Sequence, residues 1–225
     1  MSSAATADLP HVARAANPAR YARWTPLSGI AFVVFFVAGV VASSPPSDSA
    51  SDAKWIASYT GHGNQVGHVL TGVFLILAGL SFLSFVSVLW TRISEASRPA
   101  VVNPLPLVAA GVAAACIAAG GVLMAAVAGA SLTDSAPVPS PDLLRFSDGG
   151  GFTMVGTAGM LAAALCVACL SAQARAAGIF GRKLTILGLV ASVVLLASFL
   201  FIPIVALLVW LVAASIVLMR SPDGG

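Results

Sequence analysis

Long apolar runs separated by short polar connectors set the organisation of this chain. They extend from Leu27 to Ser43, Val66 to Trp90, Leu105 to Ala130, Gly151 to Ser171 and Leu184 to Met219. A helix crossing a bilayer core of ~30 Å takes ~20 apolar residues, so each of the first four runs predicts one span, tilted where it is longer. The last run is too long for one crossing. As a single helix it would reach ~54 Å at 1.5 Å per residue, and Pro203 near its midpoint interrupts helical hydrogen bonding. Two spans joined by a tight turn are predicted there, six in all. The alternative is one kinked helix and five spans.

The segments around the runs complete the expected layout. Residues 1–25 are polar and Ala-rich and read as a disordered tail, residues 26–220 as the transmembrane bundle, and residues 221–225 as a second short tail. A secretory signal is the rival reading of the first run, with Ala42-Ser43-Ser44 behind it as small residues. Two connectors carry helical signals. Ser51 and Asp52 are helix-capping types, and Trp55, Ile56 and Tyr59 after them share roughly one side, predicting a short interfacial helix that lies on the outer leaflet or caps the bundle. Ser140-Pro141 places an N-cap type before a proline at the first helical position, predicting another short helix through Phe146.

Composition agrees. The 225 residues are 59% hydrophobic and 8% charged, against about a quarter charged in soluble domains, and the mean hydropathy is +0.99. The net charge of +3 does not point to nucleic acid, because the cations are scattered over several connectors with no Lys/Arg run. Their placement orients the bundle instead. Arg14, Arg20, Arg23, Arg92, Arg98, Arg175, Arg182, Lys183 and Arg220 fall in one set of connectors, and only Lys54 and Arg145 in the other. Nine against two predicts that the first set is cytoplasmic. Asp48, Asp52, Asp134, Asp142 and Asp148 gather on the opposite side, so both termini are expected in the cytoplasm. Trp24 and Trp90 stand at the inner ends of the first two spans, where aromatic belts form.

Small residues suggest how such a bundle would hold. Lipid removes the hydrophobic drive between helices, so close backbone approach must replace it. The third run is rich in alanine and carries Gly111, Gly120 and Gly121; the fourth carries Gly151, Gly156 and Gly159. These two are expected to form the tightly packed centre, with spans one, five and six lying more towards lipid.

The candidate chemistry is thin. Cys166 and Cys169 share a helix face at i,i+3 spacing, but Cys116 is the only other thiol, and a metal site would lack a fourth ligand. Packing is the better account. His62 and His68 flank a polar stretch at the outer entrance of the second span and are expected to act as an interfacial polar cap. Gly149-Gly150-Gly151 and Gly120-Gly121 precede no Lys-Ser/Thr, so they form no phosphate loop. Hydroxyls such as Thr71, Ser81, Ser84, Ser87, Thr153, Thr157, Ser192 and Ser198 are expected to bond their own helix. The spans are read as free of ionisable groups, which argues against ion-coupled transport. No catalytic residue, cofactor or metal ligand is assigned.

Several features resemble a known class of proteins. These are Trp24-Thr25-Pro26-Leu27-Ser28-Gly29 before the first span, Asp52 to Tyr59 in the outer connector, and the closing pattern from Arg182-Lys183-Leu184 through Pro203 to Met219-Arg220. They are similar to integral membrane proteins, chiefly actinobacterial, of unknown function. The resemblance implies a six-helix bundle and brings no catalytic residues.

The expectation is therefore a non-enzymatic, multi-pass plasma-membrane (inner-membrane) protein with a structural, accessory or envelope-related role. Its expected partners are membrane lipids and a membrane-protein partner or a second copy of itself, with no nucleic acid. The alternative is an uncoupled facilitator of a lipid or small apolar solute.

Overall fold

The computed structural model describes residues 26–47, 49–97, 103–134, 137–198 and 202–220, and every regular element among them is helical. The elements are α1 (Leu27–Ala42), α2 (Asp52–Tyr59), α3 (His62–Ala96), α4 (Leu105–Asp134), α5 (Pro141–Ala176), α6 (Arg182–Leu195) and α7 (Ile204–Arg220). The tails, Asp48 and Arg98 lie outside the described residues. Three helices, α3, α4 and α5, are long and apolar enough to cross a membrane, while α1 and α7 are shorter apolar helices. The 14 residues of α6 extend ~21 Å.

Sequential neighbours pack side by side from α3 through α7, α1 packs on α3, and α7 returns to α1, so α1 and α3–α7 close into a ring. The α3–α4 interface is the most extensive. There Gly72 faces Gly121 so closely that a Cβ on Gly121 would fall 2.8 Å from the Leu75 Cβ and 3.1 Å from the Gly72 carbonyl oxygen. At the next interface Gly120 and Gly151 approach in the same way, a Cβ on either falling 2.6 Å from the other's carbonyl oxygen. Absent side chains let the backbones touch and gain dispersion contacts along their length.

Aromatic rings fill the interior. Phe32 of α1 stacks on Phe36 at 5.5 Å and tilts against Phe82 of α3 at 5.6 Å. Phe85 meets Trp210 of α7 edge-on at 6.0 Å, and Trp210 meets Phe180 at 6.4 Å. Phe180 lies in the α5–α6 turn, where Gly178 adopts a positive φ of 75° and the amides of Ile179 and Phe180 both donate to the Ala174 carbonyl. This turn folds Phe180 under the ring. The outside is apolar as well: Val41 is 72% exposed, Val193 67%, and Val34, Leu80, Val108 and Val205 are also exposed. Helices that are hydrophobic on every side belong in a large core or a membrane.

One expectation holds and three change. The run after Arg182 is two separate helices packed together, α6 and α7, rather than one kinked helix. The Ser140-Pro141 segment opens α5 itself, which runs unbroken to Ala176 through a π-helical stretch, Met154–Gly159. A proline at the first turn starts a helix without stopping it, and no second proline follows before Ala176. The centre is not confined to α4 and α5, because Phe32 of α1 and Leu207, Trp210, Leu211 and Ala214 of α7 are fully buried. Ring closure gives α1 and α7 an inner face as well as an outer one. Finally, the N-cap positions Ser51 and Ser140 are as predicted, yet neither side chain makes a capping hydrogen bond.

The α3–α4 seam yields a direct test. Gly121→Leu should destabilise the bundle by ~1–3 kcal/mol, the usual range for overpacking, and lower its melting temperature in detergent. Gly111→Leu, where a Cβ meets nothing within 4 Å, should leave it unchanged. Equal melting temperatures would remove the seam from its structural role.

Candidate functional site

The distinctive chemistry lies at one end of the ring, beneath α2. Gly61, with φ of 94°, reverses the chain between α2 and α3, a conformation that only glycine adopts without strain. The reversal leaves the last carbonyls of α2 without helical partners. Asn64 and Gln65 from the first turn of α3 supply them: Asn64 Nδ2 donates to the Ala57 and Thr60 carbonyls at 3.1 and 3.2 Å, and Gln65 Nε2 to the Tyr59 carbonyl at 3.1 Å. The polar stretch around His62 thus pins α2 down.

Pinning brings Tyr59 onto His68, with ring centroids 4.0 Å apart and planes within 12°. Both rings are buried, together with Trp55, Ala128 and Leu144. His68 is only 3% exposed, and its Nδ1 has no hydrogen-bond partner; nor have the Tyr59 hydroxyl and Trp55 Nε1. This corrects two expectations. His68 belongs to the interior rather than to a surface cap, and α3 does enclose an ionisable side chain. His62, at the start of α3, is exposed. Of the three aromatic and aliphatic residues assigned to one side of α2, Trp55 and Tyr59 turn inward and Ile56 is 38% exposed. Burial pushes the Tyr59 phenol above its usual pKa, and the nearby Asp148 charge adds to the shift.

Arg145 of α5 fastens the outside of this cap. Its guanidinium donates to Asp52 at 2.7 Å, to Asp142 at 3.3 Å and to the Ala50 carbonyl at 3.1 Å, and lies 5.8 Å from the Trp55 ring centroid. Asp52 and Asp142 are largely exposed, so position rather than energy is what these ion pairs contribute.

Two cavities adjoin the cap. One, of about 270 Å³, is lined by Ser43, Ser44, Ser58, Asn64 and His68 together with Ala42, Gly63 and Gly67. The other, of about 210 Å³, is mainly apolar: Phe36, Val40, Leu75, Met124, Phe152 and Val155 form most of it, with Thr71 and Asp148 among its other lining residues. Ser43 lines both. At this boundary the Thr71 hydroxyl lies 2.9 Å from Ser43 Oγ, 3.0 Å from the Gly39 carbonyl and 3.2 Å from the Gly67 carbonyl. Thr71 therefore ties α3 to α1, whereas Ser84, Ser87, Thr153 and Ser192 donate within their own helices as expected. The π-helical stretch places Val155 on the apolar cavity, and such local widenings recur at functional sites.

The remaining candidates stay apart from this end. Cys166 is buried, Cys116 and Cys169 are half-buried, and all three are free thiols. Among the described residues no group of three His, Cys, Asp or Glu side chains is placed to hold a metal ion. Sequence spacing could not reveal the Tyr59–His68 stack, which requires the reversal at Gly61. That glycine, followed by Asn64 and Gln65, was the signal available. No protein-family model matches the chain, and neither do any curated proteins or solved structures.

Two outcomes are expected at the cap. The phenolate absorbance assigned by difference to Tyr59, using Tyr59→Phe, should be missing as pH passes the ordinary tyrosine pKa of about 10. Because the fold favours the neutral phenol, this contribution to stability holds below pH ~10 and is lost as pH rises above it, where only the unfolded chain ionises. A normal phenolate titration in the folded protein would contradict the burial. Arg145→Ala should speed hydrogen exchange in α2 and leave α6 and α7 unchanged; unaltered exchange in α2 would show that the guanidinium does not hold the cap.

Proposed function

We propose that this chain is a multi-pass plasma-membrane (inner-membrane) protein with a non-enzymatic structural or accessory role. In this reading α1 and α3–α7 make six crossings, the short α6 and α7 pairing across the break at Pro203. Both termini face the cytoplasm. The observation that carries it is a ring of helices with apolar residues on both sides, filled by Phe32, Phe82, Phe85 and Trp210. An apolar outer surface suits lipid, and the buried aromatic side chains fill the interior among the described residues.

The distribution of charge supports the orientation. Arg92, Arg175, Arg182, Lys183 and Arg220 sit at helix ends opposite the α2 cap, while Asp52 and Asp142 lie at the cap. The resemblance to uncharacterised six-helix membrane proteins belongs to the same reading. Function then rests on what the protein binds: lipids around it, and a membrane-protein partner or a second copy. The alternative, an uncoupled facilitator of a lipid or small apolar solute, draws support from the apolar cavity beside Phe36.

Reporter fusions test the topology. A cytoplasm-active reporter after Asp223 should give signal, and a periplasm-active reporter should give signal when inserted before Ser140. Reversed signals would overturn the orientation, and an outside C-terminus alone would overturn the six crossings. Purified protein in liposomes should leave ion and small-solute leakage at the background rate. A saturable flux would replace the accessory role with the facilitator.

A further inference from the structure

Resting on the reading of the chain as a membrane protein, we infer that the start of α6 binds an anionic phospholipid. Arg182 and Lys183 hold its phosphate, and the outer face of α6 carries its acyl chains. The first argument is charge that the fold leaves unanswered. At the end of the ring opposite α2, two cations are used within the fold: Arg92 Nη1 donates to the Leu218 carbonyl at 3.2 Å, and Arg175 Nη1 to the Phe180 carbonyl at 3.5 Å. Arg220 closes α7, where a cation complements the helix dipole. Arg182 and Lys183 instead open α6, at the end whose dipole repels them. Both are exposed, and neither forms an ion pair with Glu95 at the same end or with any other described acid.

The second argument is what an anion meets there. α6 has no acid in its first turn, and its N-cap residue, Gly181, supplies no capping side chain. A phosphate beside Arg182 and Lys183 is met by two cations, with the positive end of the helix adding to the same field. An anionic headgroup takes the whole of this attraction. A zwitterionic one brings its own cation into the field and gains less.

The third argument selects a lipid over a free phosphate. Leu184, Gly188, Ala191 and Leu195 bury one side of α6. On the other side, at 3.6 residues per turn, Arg182 stands in line with Ile186, Leu189 and Val193, with Lys183 and Val190 beside them. These four apolar side chains are exposed. Charged and apolar positions thus form one strip with the polarity order of a phospholipid, headgroup first. Depth agrees with this. The 14 residues of α6 extend ~21 Å, short of a ~30 Å hydrocarbon core. Either the bilayer thins there or the flanking cations reach outward, and both bring lipid phosphates onto Arg182 and Lys183.

The test uses the full chain in nanodiscs of mixed phosphatidylglycerol and phosphatidylcholine, read by native mass spectrometry after release into detergent. Phosphatidylglycerol should be retained in preference to phosphatidylcholine. Arg182→Gln combined with Lys183→Gln should lower that preference about thirtyfold, the worth of two cations at an anionic surface. Arg182→Lys, which keeps the charge, should keep the preference, and so should Lys54→Gln, which removes a cation at the α2 end. In phosphatidylcholine alone the double variant should melt no lower than the parent, because it relieves repulsion at the helix start. An undiminished preference in the double variant would overturn the inference. So would an equal loss in Lys54→Gln, or full displacement of phosphatidylglycerol by free glycerol phosphate. Fractionation of the expressing cells separates the two levels: a chain missing from membranes defeats the underlying reading, while a membrane-bound chain without the preference defeats only this site.

Discussion

Close approach of helix backbones at small residues is the constraint on which the rest of this structure depends. Gly72 against Gly121 and Gly120 against Gly151 bring α3, α4 and α5 together closely enough for backbone to meet backbone at these points. In water, burial of apolar area would drive such contacts; in the proposed bilayer it would not, and shape alone must make one neighbour better than lipid. Once those three long helices are set, the shorter α1, α6 and α7 complete the ring. The aromatic residues then occupy the interior that glycine and alanine leave open.

The distinctive polar chemistry gathers at one end. Midway along the helices Ser84, Ser87, Thr153 and Ser192 donate to their own backbones, while Ser171 and Ser215 are buried between helices. Beyond the seams the helices separate, and α2 closes the gap. Its carbonyls are met by Asn64 and Gln65, its aromatic face seals against His68 and Leu144, and Arg145 braces it from outside. Incomplete sealing leaves the two cavities.

Much of the fold was legible beforehand because hydrophobicity and helix breakers are local properties. The apolar runs match α1, α3, α4 and the later part of α5, and Pro203 marked the division between α6 and α7. Trp55 and Tyr59 announced the capping helix. Legibility failed where position depends on several elements at once. Ser140-Pro141 looked like a separate short helix because nothing local shows whether a helix continues into the next apolar run. His68 looked interfacial because its sequence neighbours are polar, although the reversal at Gly61 buries it under Tyr59.

By itself, the sequence determined that the chain is helical, apolar on most faces, divided near Pro203 and opposite in charge at alternate connectors. These follow from side-chain chemistry summed along a few turns. Only the tertiary structure decided that α7 returns to α1, that Phe32 and Trp210 share one interior, and that Thr71, Ser43, His68 and Asp148 surround adjoining cavities. Those relations join residues far apart in the chain. They arise from the shapes of packed helices, which periodicity does not encode.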